Sequence, residues 1–125
     1  MPDLMARGAA FLADRLAAHA SRRVTYVRAH EALDLDATVG LSSFELDSEH
    51  GIVRATTRDY VVRRSDLVLS GMPSLPRRGD TVEELLPDGT LQRHEVVSVG
   101  GMPEWRPCDS SGILIRIHTK GLEGT

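Results

Sequence analysis

The stretch LDLDATV, residues 33–39, alternates apolar and polar side chains at every step. Strict alternation of this kind is typical of a β-strand with one face in the core and the other in water. A shorter alternating run, residues 24–28, precedes it, and the two are close enough to form a hairpin through residues 29–31. The body of the fold is therefore expected to be built from β-strands that begin with this hairpin.

Strand signals continue towards the carboxyl end. A further run starts at Phe44, a turn follows at residues 47–51, and residues 52–62 form a long return strand. Neither face of the return strand is uniformly apolar, so we expect it at a sheet edge or at an interface. Later strands are predicted at residues 82–86, 91–99 and 113–119. Pro87-Asp88-Gly89 between the first two is a hairpin signal, because Asp-Gly supplies the positive φ angles of the turn.

Two segments do not follow the strand pattern. Residues 68–79 hold two prolines and two glycines, which predicts a long loop. Residues 3–20 carry apolar side chains at steps of three and four after Asp3, a plausible N-cap, and this predicts an amphipathic helix. We expect the helix to pack on the β-body or on a neighbouring subunit.

The fold class that follows is mainly β: a small β-barrel or sandwich with one N-terminal amphipathic α-helix. Roughly six to eight short strands at regular spacing support this class, and closure into a barrel is favoured because it hides sheet edges. The chain of 125 residues is expected to be a single domain. Its parts are predicted as a helix at 3–20, a β-body at 23–120 and a frayed tail at 121–125.

Composition excludes several classes of function. Fifteen basic and 18 acidic residues give a net charge of −3, which argues against a protein that binds nucleic acid mainly through phosphate contacts. A single cysteine, Cys108, rules out an intrachain disulfide and a multi-cysteine metal site. No apolar run approaches the roughly 18–20 residues of a membrane span, and no signal peptide is expected at the amino terminus.

We find no pattern of residues that predicts catalysis, a cofactor or a metal. The five histidines lack a metal-ligand spacing on one element, and only a pair brought together by the fold, such as His94 and His118, could act. Cys108 has no activating neighbour, and neighbouring acidic residues such as Glu83 and Glu84 are more typical of a solvated strand face. In Arg78-Gly79-Asp80 the glycine serves a turn, and the two charges are expected to stay in water.

Trp105, the one tryptophan, lies in the proline-bounded segment MPEWRP. Tryptophan is common both over cores and at the centres of interfaces. The sequence leaves both alternatives open: Trp105 is either a lid on the core or an interface anchor.

Two motifs resemble the small head–tail joining proteins of tailed bacteriophages, the head-completion, adaptor or stopper class. Residues 77–82, RRGDTV, resemble the RRGD(T/S) segment that leads into a hairpin in that class. Residues 100–120, GGMPEWRPCDSSGILIRIHTK, resemble its GGEPxWRYSD…RIHTK ending, with Cys108 departing from the aromatic-serine pattern. The resemblance covers nearly the whole chain.

The resemblance implies a non-enzymatic virion structural protein of the phage neck, assembled in the host cytoplasm. Such a protein would form a homo-oligomeric ring, expected to have six copies, between the portal or adaptor protein and the tail proteins. DNA would be retained by the ring and would later pass through its channel without sequence-specific binding. The alternatives are a tail-terminator or tail-tube-like protein or, in a different class, a small β-barrel enzyme or ligand-binding module with a pocket at His94, His118 and Trp105.

Two segments are candidates for contact with other components. Apolar side chains beside arginines suit a docking surface, and residues 68–79 carry such a set: Leu69, Met72, Leu75, Arg77 and Arg78. The acidic tip of residues 44–51 suits a surface that faces DNA without binding it. This segment is either the channel loop, with Asp47, Glu49 and His50, or an ordinary solvated turn.

Overall fold

A computed structural model describes residues 21–122 of the chain. Nine strands and one short 3-10 turn make up this part. Their bounds are β1 Arg22–Arg28, β2 Glu31–Ser48, β3 Gly51–Arg63, the 3-10 turn Arg64–Asp66, β4 Val68–Leu69, β5 Met72–Pro73, β6 Thr81–Leu85, β7 Leu91–Val96, β8 Trp105–Pro107 and β9 Leu114–Gly121. The helix predicted at residues 3–20 lies outside the described residues.

Six antiparallel strands close into a barrel, which confirms the mainly β prediction and selects the barrel over the sandwich. The order around the barrel is β1-β2-β3-β9-β7-β6, and β6 pairs again with β1. Pairing of β3 with β9, for example Tyr60 opposite Ile117, completes the closure. The short strand β8 adds to β9 through Trp105 opposite Ile117.

The core fills the barrel because alternate residues of every strand point inward. The regular alternation in β2 places Leu35 and Ala37 there, as the sequence predicts, and β9 contributes Ile115 and Ile117. The remaining buried members include Val24, Tyr26, Tyr60, Val62, Leu67, Val82 and Val96. Burial of these side chains is the main favourable contribution to the stability of the barrel.

β2 and β3 continue well beyond the barrel wall as one long hairpin. β1 accompanies β2 only as far as Ala37, and β9 accompanies β3 only from Arg58 onwards. Residues 42–57 therefore form a two-stranded ribbon, which we call the arm, with its tip at Ser48 and Gly51. The predicted edge strand at 52–62 is correct for residues 52–57 and wrong for 58–62, which pair on both sides.

Three further predictions need correction or refinement. The segment 68–79 is not a plain loop, because Val68–Leu69 and Met72–Pro73 pair as a small hairpin. The run that begins at Phe44 is the end of β2, which continues without a break from Glu31. The frayed tail is wrong at its first two positions: Gly121 belongs to β9, and the Leu122 N–H donates to the Arg93 carbonyl at 3.0 Å.

Candidate functional site

The β4–β5 hairpin lies at one end of the barrel, and the arm projects from the other. This follows from strand direction, because β2 enters the barrel at Glu31 and leaves it towards the tip of the arm, whereas β3 returns to end beside the β4–β5 hairpin. The two segments that the sequence singles out are thus separated by the length of the barrel.

The surface at the β4–β5 end combines exposed apolar and basic groups. Met72 is 67% exposed and Leu75 is 36% exposed, and Arg77 and Arg78 follow them at the surface. A groove of about 740 Å³ runs between this hairpin and the β1–β2 turn. It is lined by residues that include His30, Glu31, Met72, Pro73 and Arg77.

Buried Asp80 holds this surface in place. Its carboxylate accepts hydrogen bonds from the Tyr26 hydroxyl, from the Arg28 guanidinium (Nη2 at 2.8 Å) and from the Arg77 backbone N–H at 3.0 Å. Arg28 also donates to the Leu75 carbonyl at 2.6 Å. Burial and the bond to Asp80 raise the pKa of Tyr26 far above its ordinary value. The loop that carries Leu75 and Arg77 is therefore fixed to the barrel by one carboxylate and one guanidinium.

A second contact fixes the turn of the hairpin. Ser70 has a positive φ of 54°, and its backbone N–H and hydroxyl both donate to the Glu31 carboxylate, at 2.6 and 2.8 Å. These bonds lower the pKa of Glu31. The docking candidate is thus tied to the β1–β2 hairpin on both of its sides.

Two expectations at this end are wrong. Leu69 is only 4% exposed and belongs to the core, whereas Met72, its partner across the β4–β5 hairpin, is 67% exposed. Asp80 of the Arg-Gly-Asp triplet is buried rather than solvated, since it accepts the Tyr26 and Arg28 hydrogen bonds. Gly79, with φ of 96°, serves a turn as expected.

The predicted channel residues lie at the tip of the arm. All three are exposed there: Glu49 and His50 form a two-residue turn, and Asp47 lies in β2 opposite Ile52, so residues 44–51 are not a loop. The Ser48 hydroxyl donates to the Gly51 carbonyl at 2.7 Å and closes the turn. The tip therefore presents acidic groups on an ordered hairpin.

A second buried carboxylate closes the arm-side end of the barrel. Glu84 accepts from Arg22 at 2.8 Å, from Arg58 at 2.7 Å and from the Tyr60 hydroxyl at 3.0 Å. Burial alone would raise the pKa of Glu84, but the hydrogen bonds outweigh it and the pKa is lowered. Burial also raises the pKa of Tyr60 to about 12. Glu84 is not the solvated residue that its place beside Glu83 predicts.

A third carboxylate, Asp59, lies on the outer side of the barrel wall. It accepts from the Ser42 hydroxyl, the Thr57 hydroxyl at 2.7 Å and His118 Nδ1 at 2.9 Å, and Arg116 lies 3.2 Å away. Burial raises and these bonds lower the pKa of Asp59, with a net decrease. Both hydroxyls donate to the carboxylate, so neither is activated by the imidazole as a nucleophile needs to be.

His94 and His118 do not share a pocket. His94 points into the barrel, where its ring meets Tyr60 at 5.8 Å between centroids, whereas His118 points outward and meets Phe44 at 5.3 Å.

Trp105 packs against the core, and the Arg64 guanidinium covers its ring at 5.8 Å. The lid alternative thus accounts for the position of Trp105, and the anchor role stays a prediction. Residues 21–122 contain no group of three side chains that could hold a metal ion.

The sequence matches the model of one known protein family. The family model described as phage head-tail joining protein matches residues 2–124. The chain belongs to the phage head-tail joining protein family. The suspected resemblance is thereby confirmed over almost the full sequence. A search of curated proteins finds no match.

The head-tail joining protein is accordingly a virion structural protein, a component of the junction between phage head and tail, and its family is not an enzymatic one. None of the helices formed by residues 21–122 is long and apolar enough to cross a membrane. A joining protein needs surfaces for a head component and a tail component, and the barrel offers differently built surfaces at its two ends.

Sequence reasoning missed the three buried carboxylates of the joining protein. A signal for one was present: Glu84 follows Val82 by two residues, so strand alternation places both on the inward face. Three of the partners of Asp80 and Glu84 lie more than 50 residues away: Tyr26 and Arg28 for Asp80, and Arg22 for Glu84. Such pairs become visible only once the strand order is known.

Proposed function

We propose that the head-tail joining protein forms a homo-oligomeric ring of six copies in the phage neck and helps to retain the packaged DNA. In this proposal the β4–β5 end docks on the portal or adaptor protein and the arm faces the channel and the tail. The observation that carries it is the placement of the exposed apolar-and-arginine surface and the acidic tip at opposite ends of one rigid barrel.

Docking by residues 68–79 is supported by the chemistry of the β4–β5 end. Met72 and Leu75 offer apolar area, and Arg77 and Arg78 offer directed hydrogen bonds at its border. The Asp80 and Glu31 bonds hold the hairpin in one conformation before binding, which lowers the conformational entropy lost on docking.

The double substitution Met72→Ser and Leu75→Ser tests docking. Because both side chains reach solvent, the melting temperature should stay nearly unchanged while attachment to purified, portal-bearing heads is lost. Leu85→Ser with Leu91→Ser is the matched control, since these leucines are 67% and 41% exposed at the opposite end. The control should attach like the wild type. Normal attachment of the Met72/Leu75 variant would contradict the docking assignment, and so would an equal loss of attachment in the Leu85/Leu91 control.

The channel role of the arm tip is supported by its charge. Asp47 and Glu49 are exposed carboxylates, which repel a phosphate backbone and so favour passage over binding. Replacing Glu49 with lysine should let head-bound rings hold DNA more tightly and slow its release when ejection is triggered. Unchanged release kinetics from particles that carry the variant would show that the tip does not line the channel.

A further inference from the structure

Among residues 21–122 the arm has two backbone edges without a partner strand. β1 leaves β2 after Ala37, and β9 joins β3 only from Arg58. Within residues 21–122 no third strand pairs with residues 38–48 or with residues 51–57. Unpaired N–H and C=O groups along an edge strand are a template for pairing with another strand.

The arm carries few of the devices that protect such edges. Proteins blunt exposed edges with proline, charged side chains (above all lysine) or a very short edge strand. Neither edge segment contains proline or lysine, and their charged residues are Glu45, Asp47 and Arg54. Exposed apolar side chains accompany both edges instead: Leu41 and Ile52 are each 69% exposed, and Val53 is 51% exposed. A weakly protected edge of this length is expected to be covered in the assembled state.

The two edges carry opposite charge. The only charged residues of 38–48 are Glu45 and Asp47, and the only charged residue of 51–57 is Arg54. Within the hairpin Glu45 and Arg54 lie 3.5 Å apart, and both side chains stay about two-thirds exposed. A second arm can therefore lie with its basic edge against the acidic edge of the first, whereas two like edges would bring like charges together.

We propose that neighbouring copies of this chain join arm to arm, with the β2 edge of one copy paired to the β3 edge of the next. β2 and β3 are antiparallel within each arm, so repetition of this contact makes every new pair antiparallel as well. The contact is head-to-tail, and head-to-tail contacts that close generate rings. Closure of the ring also removes the free edges. The inference rests on the proposed ring and names the surface that builds it.

Single charge reversals test the pairing. Glu45→Arg gives both edges a positive charge at the level of residues 45 and 54. Arg54→Glu gives both edges a negative charge there. Each variant alone should remain folded, with a melting temperature near that of the wild type, and should fail to build rings on portal-bearing heads. The number of bound copies per head is the measurement.

An equal mixture of the two variants separates contacts between copies from contacts within one hairpin. In an alternating ring every basic edge meets an acidic edge, so the mixture should regain wild-type occupancy. Both hairpins keep their internal like-charge pair in the mixture, so only pairing between copies can restore it. The matched control is Glu83→Arg and Arg93→Glu, a cross-strand pair at 3.3 Å on the barrel wall, which should leave occupancy unchanged.

The other outcomes overturn the inference in distinguishable ways. If each reversal alone builds rings like the wild type, the arms do not pair, and the proposed ring stands on other contacts. If both single variants and their mixture fail while folded, the arm binds a strand of a different protein. If the wild-type chain builds no ring on heads, the proposed function itself fails.

Discussion

The guanidinium of Arg116 lies directly over the backbone of Gly40, with Nη2 3.4 Å from the point where a Cβ would stand. From this position Arg116 reaches Asp59 at 3.2 Å and the Ser42 hydroxyl at 3.3 Å. Gly40 thus leaves room for the Arg116 side chain, whose positive charge neutralises the buried Asp59 carboxylate where the arm leaves the barrel.

Gly40→Val should displace Arg116 and lower the free energy of unfolding by about 1–3 kcal/mol, since it adds bulk where the guanidinium lies. Gly40→Ala is the control, because a single methyl group at 3.4 Å makes an ordinary contact. Alanine should change stability by less than about 1 kcal/mol. Urea denaturation of both variants decides, and equal stability of the two would show that Arg116 does not depend on this space.

Asp80→Ala should cost about 3–5 kcal/mol of unfolding free energy, because it leaves Arg28 and Tyr26 without their shared partner in a mostly buried place. Glu83→Ala removes a carboxylate of an exposed pair with Arg93 and should cost at most about 1 kcal/mol. Chemical denaturation of the two variants measures the difference. A small effect at Asp80 would mean that the β4–β5 end is held by other contacts.

The sequence predicts the barrel strands where one face is apolar throughout. Residues 33–39 alternate cleanly because β2 has the core on one side and water on the other there. Beyond Val39 the pattern weakens, because the arm leaves the barrel and the inward face of β2 continues into solvent at Leu41. Hydrophobic alternation reports burial, so it could not show that β2 continues unbroken to Ser48.

The candidate surfaces could be located only in part from the sequence. Composition places apolar and basic residues in 68–79, but it does not show that Leu69 is buried in the core while its hairpin partner Met72 is exposed. The burial of the carboxylates could not be predicted, because each is stabilised by residues from other strands, as Glu84 is by Arg22 and Arg58. The acidic and basic residues of the arm are visible in the sequence. Only the structure shows that they lie on two edges that have no partner strand among residues 21–122.

His94 should make the stability of the barrel depend on pH between about 5 and 7.5. Burial, and next to it the charge of Arg58, lower the pKa of His94, while the charge of Glu84 opposes them. The Nδ1 atom of His94 is buried without a partner among the described residues. The folded protein therefore keeps the ring neutral, whereas the unfolded chain binds a proton below about pH 6.5. Stability is lost as the pH falls through that value.

Urea denaturation at pH 7.5 and at pH 5.5 measures this dependence. Both values lie above the ordinary carboxylate pKa range, so the lowered pKa values of Asp59 and Glu84 add little to the difference. His94→Gln should reduce the loss of stability between the two pH values. His50→Gln, which removes an exposed imidazole, is the control and should not. An unchanged loss in the His94 variant would contradict the assignment.

Leu69 and Met72 lie opposite each other in the β4–β5 hairpin and should respond very differently to truncation. Leu69 is 4% exposed within the core, so Leu69→Ala should cost about 2–5 kcal/mol of unfolding free energy through lost burial and the cavity it leaves. Met72 is 67% exposed, and Met72→Ala should stay within about 0.5 kcal/mol. Denaturation midpoints of the two purified variants, measured side by side, give the comparison. Similar losses in both would mean that Met72 is part of the fold, and its proposed docking contact with the head would then lose its support.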